Sequence, residues 1–425
     1  MKKVAIIGGG AAGMMAAICL ARQQYEVVLF EKNEKLGKKL FITGKGRCNL
    51  TNDCSVSDLL ANVVTNSKFM YSAFHGFDSA GVIEYFESIG LKTKTERGNR
   101  VFPASDHSSD VLKVLNKQLE LLHVDVKLLT TVTKILTNPY SPEDEKSKYE
   151  QKIHGLIYKT RNGKTEQLLC DAIVVATGGM SYPLTGSTGD GYKFAQELGI
   201  TVTTLRPALV PMCAEETLCK ELMGLTLKNV RLSFVANIKN KDKVVYSDMG
   251  ELLFTHFGVS GPIVLSASSY VQKYFENNLR LVINLKPALS REQLDARILR
   301  DFSENHNKQL KNALDALLPK RLIGYVIGAS GIDSCKKVSE ISKAEREQLL
   351  LALSEFTIHI NGIRGFEEAI ITQGGISVKE INPKTMEAKK VKNLYFAGEV
   401  LDVDALTGGF NLQIAWSSAF AVSLD

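Results

Sequence analysis

Val4-Ala5-Ile6-Ile7 is an uncharged apolar run, followed by Gly8-Gly9-Gly10-Ala11-Ala12-Gly13 and a stretch without charge through Ala21. Continuous apolar character, rather than alternation, predicts a strand buried on both faces of a parallel sheet, then a glycine turn and a helix. A second such run, Glu26-Val27-Val28-Leu29-Phe30, ends at Glu31. Residues 124–136 and 153–160 predict strands of a small β-meander. Ala172-Ile173-Val174-Val175-Ala176 is another buried strand, running into Thr177-Gly178-Gly179. From about 200 to 285 the pattern alternates in short strands with turn signals, as in Val230-Arg231-Leu232-Ser233-Phe234-Val235. Residues 290–353 carry helical periodicity, and 356–371 return to strand. Near the end, Asn393-Leu394-Tyr395-Phe396-Ala397 predicts a strand closing on Gly398-Glu399. Gly408-Gly409-Phe410-Asn411-Leu412 then opens a helix that runs to the end. The chain shows no internal repeat and no low-complexity segment.

A length of 425 residues implies two or three domains, and 44% hydrophobic with 23% charged residues is ordinary for a globular protein. The formal charge of +6 is spread along the chain without a block of like charges, so no nucleic-acid partner is expected. Seven cysteines form no CxxC pair, and no Cys/His set has zinc-ligand spacing, which predicts reduced thiols and no metal. Met1-Lys2-Lys3 ahead of an apolar run resembles a signal peptide, but Gly8, Gly9, Gly10 and Gly13 break the run. No other stretch approaches the roughly 20 apolar residues that span a bilayer. A soluble, cytoplasmic protein is expected.

Strand, glycine turn, helix, strand and acid in this order form a dinucleotide-binding βαβ signature. Gly8 permits the tight turn, Gly10 lets the backbone approach a pyrophosphate, and Gly13 lets helix pack on strand. The pyrophosphate would sit on free N–H groups near Ala11 and Ala12, with Glu31 on a ribose hydroxyl pair. After Glu31-Lys32 the chain enters a basic, glycine-rich loop with Lys38, Lys39 and Gly44-Lys45-Gly46-Arg47-Cys48-Asn49. That suits FAD better than NAD, because backbone must lie along an extended cofactor and reach its flavin ring. Lys32 and Lys39 are therefore expected at the cofactor, and so are Gly46, Arg47, Cys48 and Asn49. The backbone of Val132 is a natural partner for the adenine edge. Thr177, Gly178 and Gly179 mark the turn beside the nucleotide, and Gly398, Glu399 and Asp402 a further one. Gly409, Phe410, Asn411 and Leu412 place a helix N-terminus against the flavin's N1/C2=O side, where negative charge appears on reduction.

Several longer motifs resemble the BaiN/YhiN-like family of FAD-dependent oxidoreductases, which also contains aminoacetone oxidase. They are Gly44-Lys45-Gly46-Arg47-Cys48-Asn49-Leu50-Thr51-Asn52, Arg100-Val101-Phe102-Pro103, Thr255-His256-Phe257-Gly258-Val259-Ser260-Gly261-Pro262 and Thr385-Met386-Glu387-Ala388-Lys389. The run from Ala397 through Asn411-Leu412-Gln413 adds a fifth, and the resemblance covers nearly the whole chain. Gly186-Ser187-Thr188-Gly189-Asp190-Gly191, with a helix to Gly199, is similar to fumarate reductase-type flavoproteins. The resemblance implies an α/β protein: a Rossmann-like two-dinucleotide-binding FAD domain with an inserted β-barrel and a helical cap. The expected boundaries are 1–198 and 374–425 for the FAD domain, 199–286 and 355–373 for the barrel, and 287–354 for the cap.

The expected reaction passes a hydride between a small organic substrate and flavin N5, with oxygen or NAD(P)H as electron partner. The alternatives are an NAD(P)H-dependent reductase of steroid-like enones and a non-catalytic, flavin-dependent binding protein. His256 is the candidate general acid or base, since an imidazole titrates at roughly pH 6.5. Tyr182, close after Thr177-Gly178-Gly179, is a second candidate over the flavin. Cys48 reads as a packing residue. The next cysteine is Cys54, the spacing differs from that of disulfide reductases, and no second GxGxxG domain is present.

Overall fold

The computed structural model describes residues 1–140 and 149–424, and the chain divides into two compact units. The first joins Met1–Ala208 to Phe366–Asp425, and the second is Leu209–Gly365.

The first unit is built on a five-stranded parallel sheet. Its members in chain order are β1 (Lys3–Ile7), β2 (Glu26–Phe30), β3 (Asp125–Lys127), β4 (Ala172–Val175) and β5 (Leu394–Phe396). The order across the sheet is β5-β4-β1-β2-β3, so β1 lies where the winding reverses. The interior strands are apolar because both faces are covered, and Val4, Ala5, Ile6, Ile173 and Val174 are fully buried. Helix α1 (Ala11–Arg22) follows β1, and Met14, Met15 and Ile18 bury its inner side. Three more helices matter below: α2 (Lys38–Ile42), α3 (Asp190–Glu197) and α4 (Phe410–Phe420).

The fold class expected from the sequence is present, with corrections in detail. The meander consists of Thr131–Pro139, Gln151–Lys159 and Thr165–Leu169. Asp125–Lys127 is not part of it, because its backbone pairs with β2 at the edge of the parallel sheet. The final helix stops at Phe420 rather than at the chain end.

The second unit holds a closed six-stranded antiparallel barrel. Around it run Met212–Ala214, Gly258–Ser260, Lys241–Thr255, Thr226–Ile238, Arg280–Asn284 and Phe356–Ile363. Two strands are long, at 13 and 15 residues, where the sequence suggested short ones. Their hairpin turns on Lys239 and Asn240, both at positive φ (53° and 60°), the twist of a two-residue type I′ turn without its usual glycine. Leu227, Val230, Leu232, Phe234 and Ala236 point inward along Thr226–Ile238. Helices Arg291–Glu304, Leu310–Ala313, Lys320–Ser330 and Lys343–Ser354 come in sequence between the barrel strands Arg280–Asn284 and Phe356–Ile363. Ser290 with Gln293 and Ser342 with Glu345 close capping boxes that start the first and last of these.

Candidate active site

A cleft opens along the carboxyl ends of β1, β2, β4 and β5, where Ile7, Glu31, Ala176 and Ala397 line it. It encloses about 1310 Å³ of atom-free space, its open mouth included. This is where open α/β sheets hold ligands, beside the strand at which the winding reverses.

The glycine turn at its base separates into packing and ligand positions. A Cβ on Gly13 would lie 1.8 Å from the Gly8 carbonyl oxygen, and one on Gly8 would lie 2.5 Å from that of Ala176. These two glycines let α1 press onto the sheet. Gly10 is different: a Cβ there meets nothing within 4 Å, and Gly10 lines the cleft. It is the N-cap of α1, with no side-chain cap and no acid in the first turn. Ala11 and Ala12 line the cleft as well. Uncapped N–H groups at the positive end of a helix, beside open space, are the donor set a pyrophosphate needs.

Glu31 lines the cleft and is 9% exposed. Its Oε2 accepts the Gly9 N–H at 2.8 Å, and its Oε1 accepts Asn33 N–H (2.8 Å) and Nδ2 (2.7 Å). The carboxylate is thus held in place by three N–H donors. Asn33 also donates to the Thr185 carbonyl at 3.0 Å. Lys32 is ion-paired to Asp190 at 2.6 Å and donates to Thr188 Oγ1 at 2.5 Å. Lys32 and Asn33 therefore pin the turn before α3, whose Gly186, Ser187 and Asp190 line the cleft. Val132 lines the same region, with Thr130 and Thr131.

At another part of the wall, Lys39 Nζ donates to Glu399 Oε2 at 2.7 Å and to Ser181 Oγ at 2.5 Å. Ser181 Oγ and the Thr372 N–H both donate to Glu399 Oε1, at 2.8 and 2.9 Å. Lys39, Thr177, Gly178 and Glu399 line the cleft, and the buried Thr177 Oγ1 has no partner. Asn411 and Leu412 bring the first turn of α4 to the wall. That helix too has a glycine N-cap, Gly409 at φ 104°, without a side-chain cap or a first-turn acid. Cradle, fixed acid and two uncapped helix N-termini fit a dinucleotide such as FAD, with one anionic group at α1 and a second electron-rich edge at α4.

Other residues singled out by the sequence stand behind the wall. Gly179, Gly398 and Gly409 permit close packing, since a Cβ would come within 2.4 Å of Thr372 Oγ1, 2.7 Å of the Ala12 Cβ and 2.4 Å of the Thr51 backbone, respectively. Phe410 is buried in the core. The Asp402 carboxyl turns to Thr203 and Asn66, and burial raises its pKa above the usual range. In the glycine-rich loop, Gly46, Arg47, Cys48 and Asn49 do not line the cleft. Arg47 bonds Asp106 (2.7 Å through Nε) and Glu96 (2.5 Å), and its guanidinium lies 4.1 Å from the Phe102 ring centroid. It holds the Glu96 carboxyl below its ordinary range and staples the loop to its neighbours. The buried Asn49 Oδ1 has no partner.

Cys48 is fully buried, and burial pushes its thiol well above the usual range, the state of an inert packing cysteine. Cys335 is exposed. Alkylation of the native protein is therefore expected to modify Cys335 rapidly and Cys48 only on unfolding. Peptide mass mapping after a short iodoacetamide pulse reads this, and early modification of Cys48 would contradict it.

The two candidate catalytic groups lie in different units. Tyr182 sits at φ 52° and is half-buried, and burial first, then the Glu368 charge, raises its hydroxyl pKa. It does not line the cleft. His256 is exposed on a turn of the barrel, edge-on to Phe257 at 4.9 Å. The face of Phe257 carries the Arg364 guanidinium at 4.6 Å. Pro262 occupies the first turn of helix Pro262–Val271, as its sequence position predicted.

Sequence reasoning did not assign Asn33, Ser181, Asp190 or Thr372 to the site. Asp190 stood in a motif already noticed, whereas Ser181 and Thr372 carry no local signal and meet Glu399 only through the fold. Among the described residues no His/Cys/Asp/Glu group could hold a metal ion, and no helix is long and apolar enough to cross a membrane.

The HI0933-like protein Rossmann domain family matches residues 2–424. A 3-dehydro-bile acid delta(4,6)-reductase of Clostridium scindens is 30% identical over 424 residues, 99% of this chain and 98% of that protein. A ribosomal RNA dihydrouridine synthase of Escherichia coli is 32% identical over 422 residues, 99% of this chain and 96% of that protein. Among solved structures, a 3-ketosteroid delta1-dehydrogenase from Sterolibacterium denitrificans superposes with a TM-score of 0.53 at 12% identity, covering 99% of both chains.

Proposed function

The chain belongs to the HI0933-like family, a family of flavin-dependent oxidoreductases, and from that premise we propose that it is an FAD-dependent reductase. Its proposed reaction saturates a carbon–carbon double bond conjugated to a carbonyl, with NAD(P)H as the electron donor. The observation that carries this reading is the chemistry shared by two full-length relatives. A 3-oxo bile acid with Δ4,6 unsaturation and a uracil ring both present an alkene polarised by a carbonyl.

Bound in the cleft, FAD would supply hydride transfer at N5. The chain's own residues do the remaining work. The N–H groups at the start of α1 would hold the pyrophosphate, and Glu31 the ribose. The Lys39–Glu399–Ser181 network would orient the sugar-alcohol chain, and the N-terminus of α4 would stabilise negative charge. Tyr182, in the same unit as the cleft, is the proposed proton donor to the carbon next to the carbonyl. Tyr182→Phe should lower turnover while leaving flavin reduction intact.

Glu31→Ala is expected to weaken FAD retention at least tenfold, because it removes the fixed acceptor for the ribose. Flavin content after gel filtration measures it, and an unchanged content would remove Glu31 from the site.

The substrate test is an anaerobic titration of the flavoprotein with NADH and NADPH, followed by candidate acceptors. Bleaching of the flavin band and recolouring by a steroid-like enone supports the small-molecule reading. Recolouring by uridine in a ribosomal RNA fragment instead supports an RNA substrate, the reading that the Escherichia coli relative favours. Absence of bleaching would sink the reductase reading and point to oxygen-linked oxidation or to a non-catalytic flavoprotein.

A further inference from the structure

A buried acid without a cation stands one residue behind the cleft wall. Asp404 is 1% exposed, its Oδ2 accepts from Gln373 Nε2 at 3.2 Å, and Thr65 supplies another hydrogen bond. Its Oδ1 is buried and has no partner. Asp404 begins the two-residue strand Asp404–Ala405, antiparallel to Val63–Thr65.

Three connections tie this carboxyl to the wall. Val403, the preceding residue, lines the cleft. The following residue, Ala405, is clamped by Asn411 through its N–H (3.0 Å) and its carbonyl (2.8 Å), and Asn411 lines the cleft from the first turn of α4. Gln373 lies two residues beyond Ile371, which also lines the cleft, on the same face of its strand.

The surrounding charge is one-sided. The elements packed against Asp404 are Val63–Thr65, Ile371–Gln373 and α4, and their sequences contain no Lys, Arg, His, Asp or Glu. The charged group that acts on it is Asp402, a second acid, and burial with this repulsion lifts the Asp404 carboxyl to about 6. An ionised carboxylate with an unsatisfied oxygen in such surroundings is poised to take a proton when more negative charge arrives nearby.

We propose that Asp404 takes up a proton from solvent when a flavin in this cleft is reduced, and returns it on reoxidation. The inference rests on the reading that the cleft binds FAD. A hydride would bring a bound flavin two electrons and one proton, leaving it one negative charge. The second proton forms an O–H bond on the Asp404 carboxylate, and reoxidation breaks that bond. Asp404 touches no reacting atom. It is a positioning residue for charge.

The test is a potentiometric titration of the flavin-loaded protein across about pH 6.5 to 8, a range bounded below by the raised carboxyl. Each proton taken up with a two-electron reduction lowers the midpoint potential by about 29.6 mV per pH unit. The wild-type slope is expected to exceed that of Asp404→Asn by about 30 mV per unit, one extra proton. Equal slopes in the two proteins overturn the proposal. Should the variant fail to fold, dye-reported proton uptake during electrochemical reduction of the wild type at neutral pH decides alone. Two protons per two electrons agree with the proposal, and one overturns it. A protein that binds no flavin at all overturns the cleft reading itself, whereas bound flavin with equal slopes overturns the Asp404 role alone.

Discussion

Alanine at Gly13 is expected to destabilise the flavin-free protein by about 4 kcal/mol or more, in the range reserved for severe packing failure. Its Cβ would stand 1.8 Å from the Gly8 carbonyl oxygen, a backbone atom that cannot swing aside. Relief requires α1 to lift from β1, at the centre of the sheet. The matched variant Gly10→Val is expected to do the reverse. Its side chain enters open space, so the flavin-free protein should melt as the wild type does, while FAD binding falls at least a hundredfold. Circular dichroism melts and FAD titration of both variants separate the two roles. A Gly13→Ala protein with wild-type Tm, or a Gly10→Val protein with wild-type FAD affinity, would contradict this division of the glycine turn.

Asp404→Asn is expected to stabilise the protein at neutral and alkaline pH and to leave it unchanged near pH 4. Burial raises the folded-state pKa from 3.8 to about 6, while the unfolded chain keeps the lower value. Between those values the folded state binds more protons than the unfolded one, so stability falls as pH rises through the window. Two pKa units correspond to about 3 kcal/mol, the ionisation cost the wild type carries above pH 7. An amide has no proton to lose and escapes that cost. Denaturant melts at about pH 4 and pH 8 measure it. An equal difference between the proteins at both pH values would show that Asp404 does not titrate in this window.

What could be read from the sequence was local. Val4 to Gly13 and Glu26 to Glu31 announce themselves because a buried parallel strand admits no polar residue and a nucleotide turn admits little besides glycine. Asp125–Lys127 was misassigned because three residues at a sheet edge carry no usable period. The hairpin at Lys239-Asn240 lacked the Asn-Gly or Asp-Gly signal that marks most type I′ turns.

The site followed the same rule. Glu31 and Gly10 stand on the cleft wall beside backbone close to them in sequence, where spacing alone points. Lys39 meets Glu399 across 360 positions, and Ser181 and Thr372 complete that cluster from two further segments. Arg47 was expected at the cofactor as part of the basic, glycine-rich loop; its side chain bonds Asp106 and Glu96 and does not line the cleft. No property of the loop alone indicates where its counter-ions come from.

The cleft is proposed to hold FAD by its ADP half. Titrating flavin-free protein with FAD and, separately, with FMN tests this most directly, since the two share the flavin and differ in the adenylate. Saturation by one FAD per chain, with FMN bound far more weakly, is the predicted result. Equal affinity for the two, or no binding of either, would contradict it.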